Sequence, residues 1–259
     1  VRILLISSSY NGLCQRAHVE LDGLGHDISI TLALSPDDVR RAVALFQPDL
    51  IICPFLKEKI PEDVWSRHLC IIVHPGIKGD RGPSSLDWAI MNGEGEWGVT
   101  ALAAVEEMDA GDIWATATFE MRPGSKASIY RREVTRAATR AIVETVERVE
   151  SRSFVPEPLD YSQPDVRGQL RPVMKQVDRK IDWEVDNVET ILKKVHAGDS
   201  APGVLDTING EEYYLFGIHE EGRLRGWQPG AIIAHRHGAI CRAAIDGAVW
   251  ITHLKKKNI

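Results

Sequence analysis

The chain has 259 residues, 44% of them hydrophobic and 26% charged, the balance of an ordinary folded protein with room for two modest domains or one large one. A net charge of −6 argues against nucleic acid as the main partner, because phosphate binding needs a basic surface, and the closing Lys255–Lys257 run reads as a solvated tail. No apolar run approaches the ~20 residues that span a bilayer, so no membrane partner is expected. The N-terminus enters a strand-like run at once and lacks the shape of a signal peptide. Cys14, Cys53, Cys70 and Cys241 are far apart and form no CxxC pair. They are expected as buried free thiols in a cytoplasmic protein, with no metal site built on them.

In chain order, Val1–Ser7 reads as a buried strand, followed by a loop through Gly12 and a helix to about Leu24. Asp27–Thr31 is a short strand. Ser35-Pro36-Asp37-Asp38 is a helix start, with Ser as N-cap, Pro in the first turn and two acids at the positive end of the dipole. Leu50–Phe55 and Cys70–Val73 are apolar strands around a short helix at 61–67. Pro75–Pro83 is a glycine-containing loop and Ser84–Met91 a helix. Gly98–Val105 and Ile113–Glu120 are strands separated by a tight turn at Met108–Asp112, and 127–150 reads as one long amphipathic helix. The alternation predicts an α/β fold with a mostly parallel, Rossmann-like sheet covered by helices on both faces. Ligands of such sheets sit at the carboxyl ends of the strands, where His74 and Asp109 both fall.

Residues 1–154 are therefore expected to form a catalytic domain, and the proline-containing polar stretch 155–170 a linker. Residues 171–259 are expected to form a small OB-like β-barrel domain, with a helix at 187–196 and strands near 212–218, 230–234, 239–244 and 248–254. The first loop, Ser7–Gly12, has one glycine where a dinucleotide fingerprint needs three, and there is no Walker GK[ST]. His235 and His237 form an HxH on one face of a predicted strand, without a third ligand, so no metal is assigned.

The most informative segment is His74-Pro75-Gly76-Ile77-Lys78-Gly79-Asp80-Arg81-Gly82-Pro83, followed by Gly98-Val99-Thr100 and Met108-Asp109-Ala110-Gly111-Asp112. In this order and near this spacing, the motifs resemble the formyltransferases that use 10-formyltetrahydrofolate, methionyl-tRNA formyltransferase among them. Pro54–Pro61 and Gly79–Ile90 resemble more closely the HoxX/HypX hydrogenase maturation proteins. Lys180-Ile181-Asp182-Trp183, Ala201-Pro202-Gly203 and Pro229-Gly230 extend the likeness to the small domain that follows the catalytic one.

Formyl transfer passes through a tetrahedral oxyanion, and the folate nitrogen leaves with a proton. Histidine exchanges protons near neutral pH and suits both tasks. His74 is expected as general acid and oxyanion partner, and Asp109 as its electrostatic partner. The resemblance implies donor contacts from Arg81, Leu56, Ile60, Val105, Glu106, Glu107 and Met108. It also implies an asparagine two residues before the histidine, where this chain has Ile72. Residues 72 and 74 share a strand face, so the geometry is kept and the amide is lost. Loss of an oxyanion donor typically costs about 2.7–4 kcal/mol of transition-state stabilisation.

The HoxX/HypX resemblance implies formyl transfer to coenzyme A as the first step of carbon monoxide synthesis, with an enoyl-CoA hydratase-like domain C-terminal to this module. The chain would then be an N-terminal fragment, or a protein without that domain. The alternatives are formylation of an amine on a nucleotide sugar, antibiotic or aminoacyl-tRNA, hydrolysis of formyl-tetrahydrofolate, and an inactive folate-binding module.

Overall fold

The computed structural model describes residues 1–257. Its elements run β1 (Arg2–Ser7), α1 (Gly12–Gly23), β2 (Asp27–Leu32), α2 (Pro36–Phe46), β3 (Leu50–Phe55), α3 (Glu62–Trp65), β4 (Cys70–His74), α4 (Ser85–Asn92), β5 (Glu96–Ala103) and β6 (Ile113–Glu120). There follow α5 (Lys126–Ile129), α6 (Thr135–Ser151), α7 (Val188–Gly198), β7 (Val204–Ile208), β8 (Glu211–Glu221), β9 (Ile232–Arg236), β10 (Ala239–Ala243) and β11 (Ala248–Lys256). They group into two units, one of Val1–Ser85, Glu96–Met121 and Tyr130–Pro172, the other of Leu86–Gly95, Arg122–Ile129 and Val173 onward. The expected linker, 155–170, is thus part of the first unit, and α4 and α5 group with the second.

The first unit holds a six-stranded sheet in the order β2-β1-β3-β4-β5-β6. Strands β1 to β4 are mutually parallel, while β5 runs antiparallel to β4 and β6 antiparallel to β5. The run Ile3–Ile6 lies fully buried between β2 and β3, which is why it shows no polar alternation. On one face Leu4, Ile6, Ile51, Cys53 and Cys70 pack with Val39 and Val43 of α2 and Val64 of α3. On the other, α6 lies along β5 and β6 and against α1. Helix starts follow the chain's capping residues: Asn11 accepts from Cys14 N at 3.0 Å, and Ser35 Oγ from Asp38 N at 3.2 Å.

The expected single helix over 127–150 is interrupted. A π-turn, Tyr130–Val134, separates α5 from α6, and Thr135 Oγ1 donates to the Tyr130 carbonyl five residues back at 2.8 Å. Tyr130 itself packs edge-on against Phe55, with ring centroids 6.2 Å apart.

The second unit contains an antiparallel sheet in the order β7-β8-β11-β10-β9, with α7 packed against it and Ile191, Val195, Leu215, Ile218, Val249 and Ile251 in its core. Strand β7 is an addition to the predicted strands. It forms a hairpin with β8 through Asn209-Gly210, both at positive φ, a turn whose twist suits antiparallel neighbours. His237-Gly238 turns β9 into β10 in the same way. That corrects the HxH reading, since His235 lies in a strand but His237 lies in the turn and the two share no strand face. Among the described residues no helix is long and apolar enough to cross a membrane.

All four cysteines are buried and unpaired. Burial pushes the Cys53 thiol well above its usual range and the Cys70 thiol up to about 12. At about pH 8 roughly 10⁻⁴ of Cys70 is then the reactive thiolate. Iodoacetamide should leave Cys53 and Cys70 unmodified in the native protein and alkylate both after denaturation, as read by mass spectrometry. Rapid native labelling of either would contradict this packing.

Candidate functional site

His74 is the last residue of β4 and is 4% exposed. The chain then folds back on itself. The Pro75 carbonyl accepts from Ser85 Oγ at 2.9 Å and Trp97 Nε1 at 3.0 Å, and the Gly76 carbonyl accepts from Thr100 Oγ1 at 2.9 Å. Asp80 N closes a turn onto the Ile77 carbonyl at 2.8 Å. These bonds return Asp80, 1% exposed, to the histidine six residues before it, with Oδ2 3.1 Å from His74 Nε2. Gly76 is required by space: a Cβ there would stand 2.4 Å from Nε2 and 2.7 Å from Asp80 Oδ2.

Asp109 faces the other ring nitrogen, its Oδ2 3.4 Å from His74 Nδ1. The strand-end argument holds for His74 but does not explain Asp109. Because β5 is antiparallel to β4, its last residues lie beside the start of β4, where Ala104 N donates to the Cys70 carbonyl at 2.7 Å. The loop 104–112 must travel back along β4 to reach His74. It is held there by Gly82 N, which donates to Asp109 Oδ2 at 3.0 Å, and by Arg81, whose Nε donates to the Met108 carbonyl at 2.9 Å and whose Nη2 pairs with Glu107 at 2.6 Å. Asp109 itself adopts φ +53°, a turn conformation that aspartate tolerates better than most residues.

Residues 155–172 brace the His74 loop. Tyr161 OH donates to the Gly79 carbonyl at 2.9 Å, Gly168 N to the Lys78 carbonyl at 2.9 Å, and Lys78 pairs with Glu157 and Asp165. Backbone bonds join Arg81 N to the Gln169 carbonyl (3.1 Å) and Arg171 N to the Arg81 carbonyl (2.8 Å). Gly168 packs so tightly that a Cβ would lie 1.8 Å from Asp80 N. Arg171, also buried, donates from Nε to Asp80 Oδ1 at 2.7 Å and lies over the Trp97 ring, 5.4 Å from its centroid.

The other expected positions fall in two places. Ile60 belongs to the apolar cluster on one face of the sheet, and Leu56, Ile72 and Ala104 pack against it. Val105, Glu106 and Met108 are exposed on the loop that carries Asp109, and Glu107 is bound to Arg81. Asp80 and Arg171 are additions to the expected site. Asp80 lies in the motif next to Arg81, where three glycines within seven residues signal tight packing. Arg171 has no local signal at all.

The arrangement is a buried imidazole between two carboxylates on a glycine-dependent loop, in a Rossmann-like unit followed by an antiparallel sheet. The formyl transferase family model matches residues 29–146 and the formyl transferase C-terminal domain model residues 173–259. The chain belongs to the formyl transferase family. It is 47% identical over 256 residues to hydrogenase maturation factor HoxX of Bradyrhizobium diazoefficiens, covering 99% of this chain and 45% of that protein. The crystal structure of HypX from Aquifex aeolicus in complex with tetrahydrofolic acid superposes with TM-score 0.93 at 46% identity, covering 99% of this chain and 44% of that one. The chain thus spans less than half the length of these relatives. Methionyl-tRNA formyltransferase from Clostridium thermocellum, at 13% identity and TM-score 0.70, shares the fold.

Gly76→Ala should drive the His74–Asp80 pair apart and lower the free energy of unfolding by about 1–3 kcal/mol, the range for overpacked interiors. Urea denaturation monitored by tryptophan fluorescence measures it. An unchanged midpoint would mean that the loop has slack the packing does not show.

Proposed function

We propose that this module transfers the formyl group of 10-formyltetrahydrofolate to the thiol of coenzyme A, as the first step of carbon monoxide synthesis in hydrogenase maturation. The observation that carries the reading is the buried His74 between two carboxylates, in a chain 47% identical to HoxX. The tetrahydrofolate complex of HypX supports folate as the donor. The longer relatives leave room for a C-terminal enoyl-CoA hydratase-like domain to act on the product.

In this reading the thiol gives its proton to His74 as sulfur attacks the formyl carbon. The C–S bond forms, the bond from carbon to the folate nitrogen breaks, and the histidine returns the proton to that nitrogen. Asp109 faces the imidazolium that exists between the two transfers and stabilises it. The exposed side chains of Val105 and Met108 offer apolar surface to the pterin and its linker. Ile72 gives the sheet face beside His74 an aliphatic side chain in place of an amide donor. Such a wall suits a soft, weakly hydrated thiol better than an amine.

Turnover of 10-formyltetrahydrofolate followed by absorbance, with and without coenzyme A, tests the proposal. Coenzyme A should accelerate loss of the formyl group, and His74→Ala should lower kcat by about 10²–10⁴-fold. Turnover indifferent to coenzyme A but stimulated by an amine acceptor would sink the thiol reading. Ile72→Asn should raise formyl loss to water, because it returns an oxyanion donor to the strand.

A further inference from the structure

We infer that Asp80, held by Arg171, is the positioning carboxylate of this site and commits His74 to exchanging protons through Nδ1. The inference rests on His74 being the proton-exchanging group, and it names which nitrogen works and what selects it.

The two edges of the imidazole differ. The Nε2 edge is closed: Asp80 Oδ2 lies 3.1 Å away, the Asp80 side chain is fully buried, and Gly76 leaves less room than a methyl group. The packing leaves no room for a ligand atom at that edge. The Nδ1 edge looks toward Asp109 at 3.4 Å, too long for a good hydrogen bond, and Asp109 Oδ2 already accepts from Gly82 N. Asp109 sits on the loop whose preceding residues, 105–108, are exposed. Asp109 is thus the group that stands between Nδ1 and the exposed part of that loop, and Nδ1 is the edge a ligand can reach once Asp109 yields.

Arg171 decides how Asp80 behaves. A guanidinium only donates, and its Nε holds Asp80 Oδ1 at 2.7 Å. The other oxygen is left to accept from His74, so Nε2 carries the hydrogen and the neutral ring keeps its lone pair on Nδ1. Nδ1 then takes the acceptor's proton and returns it to the leaving nitrogen, while Nε2–H stays on Asp80 throughout. Asp80 and Arg171 touch no reactant in this scheme. They act through the ring, as the buried aspartate of a Ser-His-Asp triad does through its histidine.

Asp80→Asn gives a sharp test. Arg171 keeps the amide oxygen, so the amide NH₂ faces Nε2 and donates to it, which drives the neutral ring to the Nδ1–H tautomer. Histidine-labelled protein is studied by nitrogen-15 NMR without folate, with His74 assigned by loss of its signals in His74→Gln. The wild type should show His74 protonated on Nε2 when neutral, and Asp80→Asn should show it protonated on Nδ1. The same variant should lose about 10²–10⁴-fold in kcat, with KM for the folate donor little changed. Arg171→Lys should retain the wild-type tautomer. A wild-type His74 protonated on Nδ1 overturns the inference without recourse to any variant, as does an Asp80→Asn protein with an unchanged tautomer. The wild-type tautomer on Nε2 with no turnover for any acceptor would support the assignment while telling against formyl transfer.

Discussion

The loop that follows β4 in the first unit depends on a chain of three buried polar side chains, Arg171 to Asp80 to His74. Desolvating an arginine and an aspartate is tolerable only because each finds the other at hydrogen-bond distance. Removing one partner of such a pair typically costs about 3–5 kcal/mol, since the remaining charge stays buried and alone. The stability of the loop and the orientation of the imidazole are therefore set by the same contacts. Gly76 and Gly168 are there because the three side chains and the backbone around them approach more closely than a Cβ permits.

The sheet contributes a change of direction. Strands β1 to β4 run parallel, and β4 ends the parallel set with His74 at its carboxyl end. Strand β5 reverses, which sends the next loop to the far end and obliges it to come back. The return places Asp109 against the histidine and displays Val105 and Met108 outward. The β4 position before the last buried pair, Ile72, packs against the aliphatic cluster of α2 and α3 where the family resemblance implies an amide. One face of the site is thus apolar and the other ionic, an arrangement suited to a reaction in which charge builds and then disperses.

Much of the fold was legible because its signals are local. Fully buried strands appear as unbroken aliphatic runs, as at Ile3–Ile6 and Leu50–Cys53, and Ser35-Pro36-Asp37-Asp38 caps α2 as its composition predicts. His74 and Asp109 were legible as members of a motif series. Other features depend on tertiary context. The π-turn at Tyr130 reflects packing on Phe55 and a threonine bond to a freed carbonyl, and neither breaks the helical period. The Asn209-Gly210 hairpin did have a local signal, and reading Val204–Ile208 without it leaves the second sheet one strand short. Arg171 lies 91 residues from Asp80, just past a stretch whose prolines and polar residues look like a tether and at the expected start of the small domain, so nothing near it in the chain announces the contact.

That stretch has a practical meaning for anyone dissecting the molecule. A cut at residue 154, where the helical pattern ends and the sequence turns irregular, looks like a natural place to isolate the nucleotide-fold-like portion. It would preserve every strand and helix of the first sheet and amputate Tyr161, Gly168 and Arg171. The product would keep the secondary structure of the parent while its histidine loop lost its outer buttress. Judged by circular dichroism alone, such a piece would pass as intact.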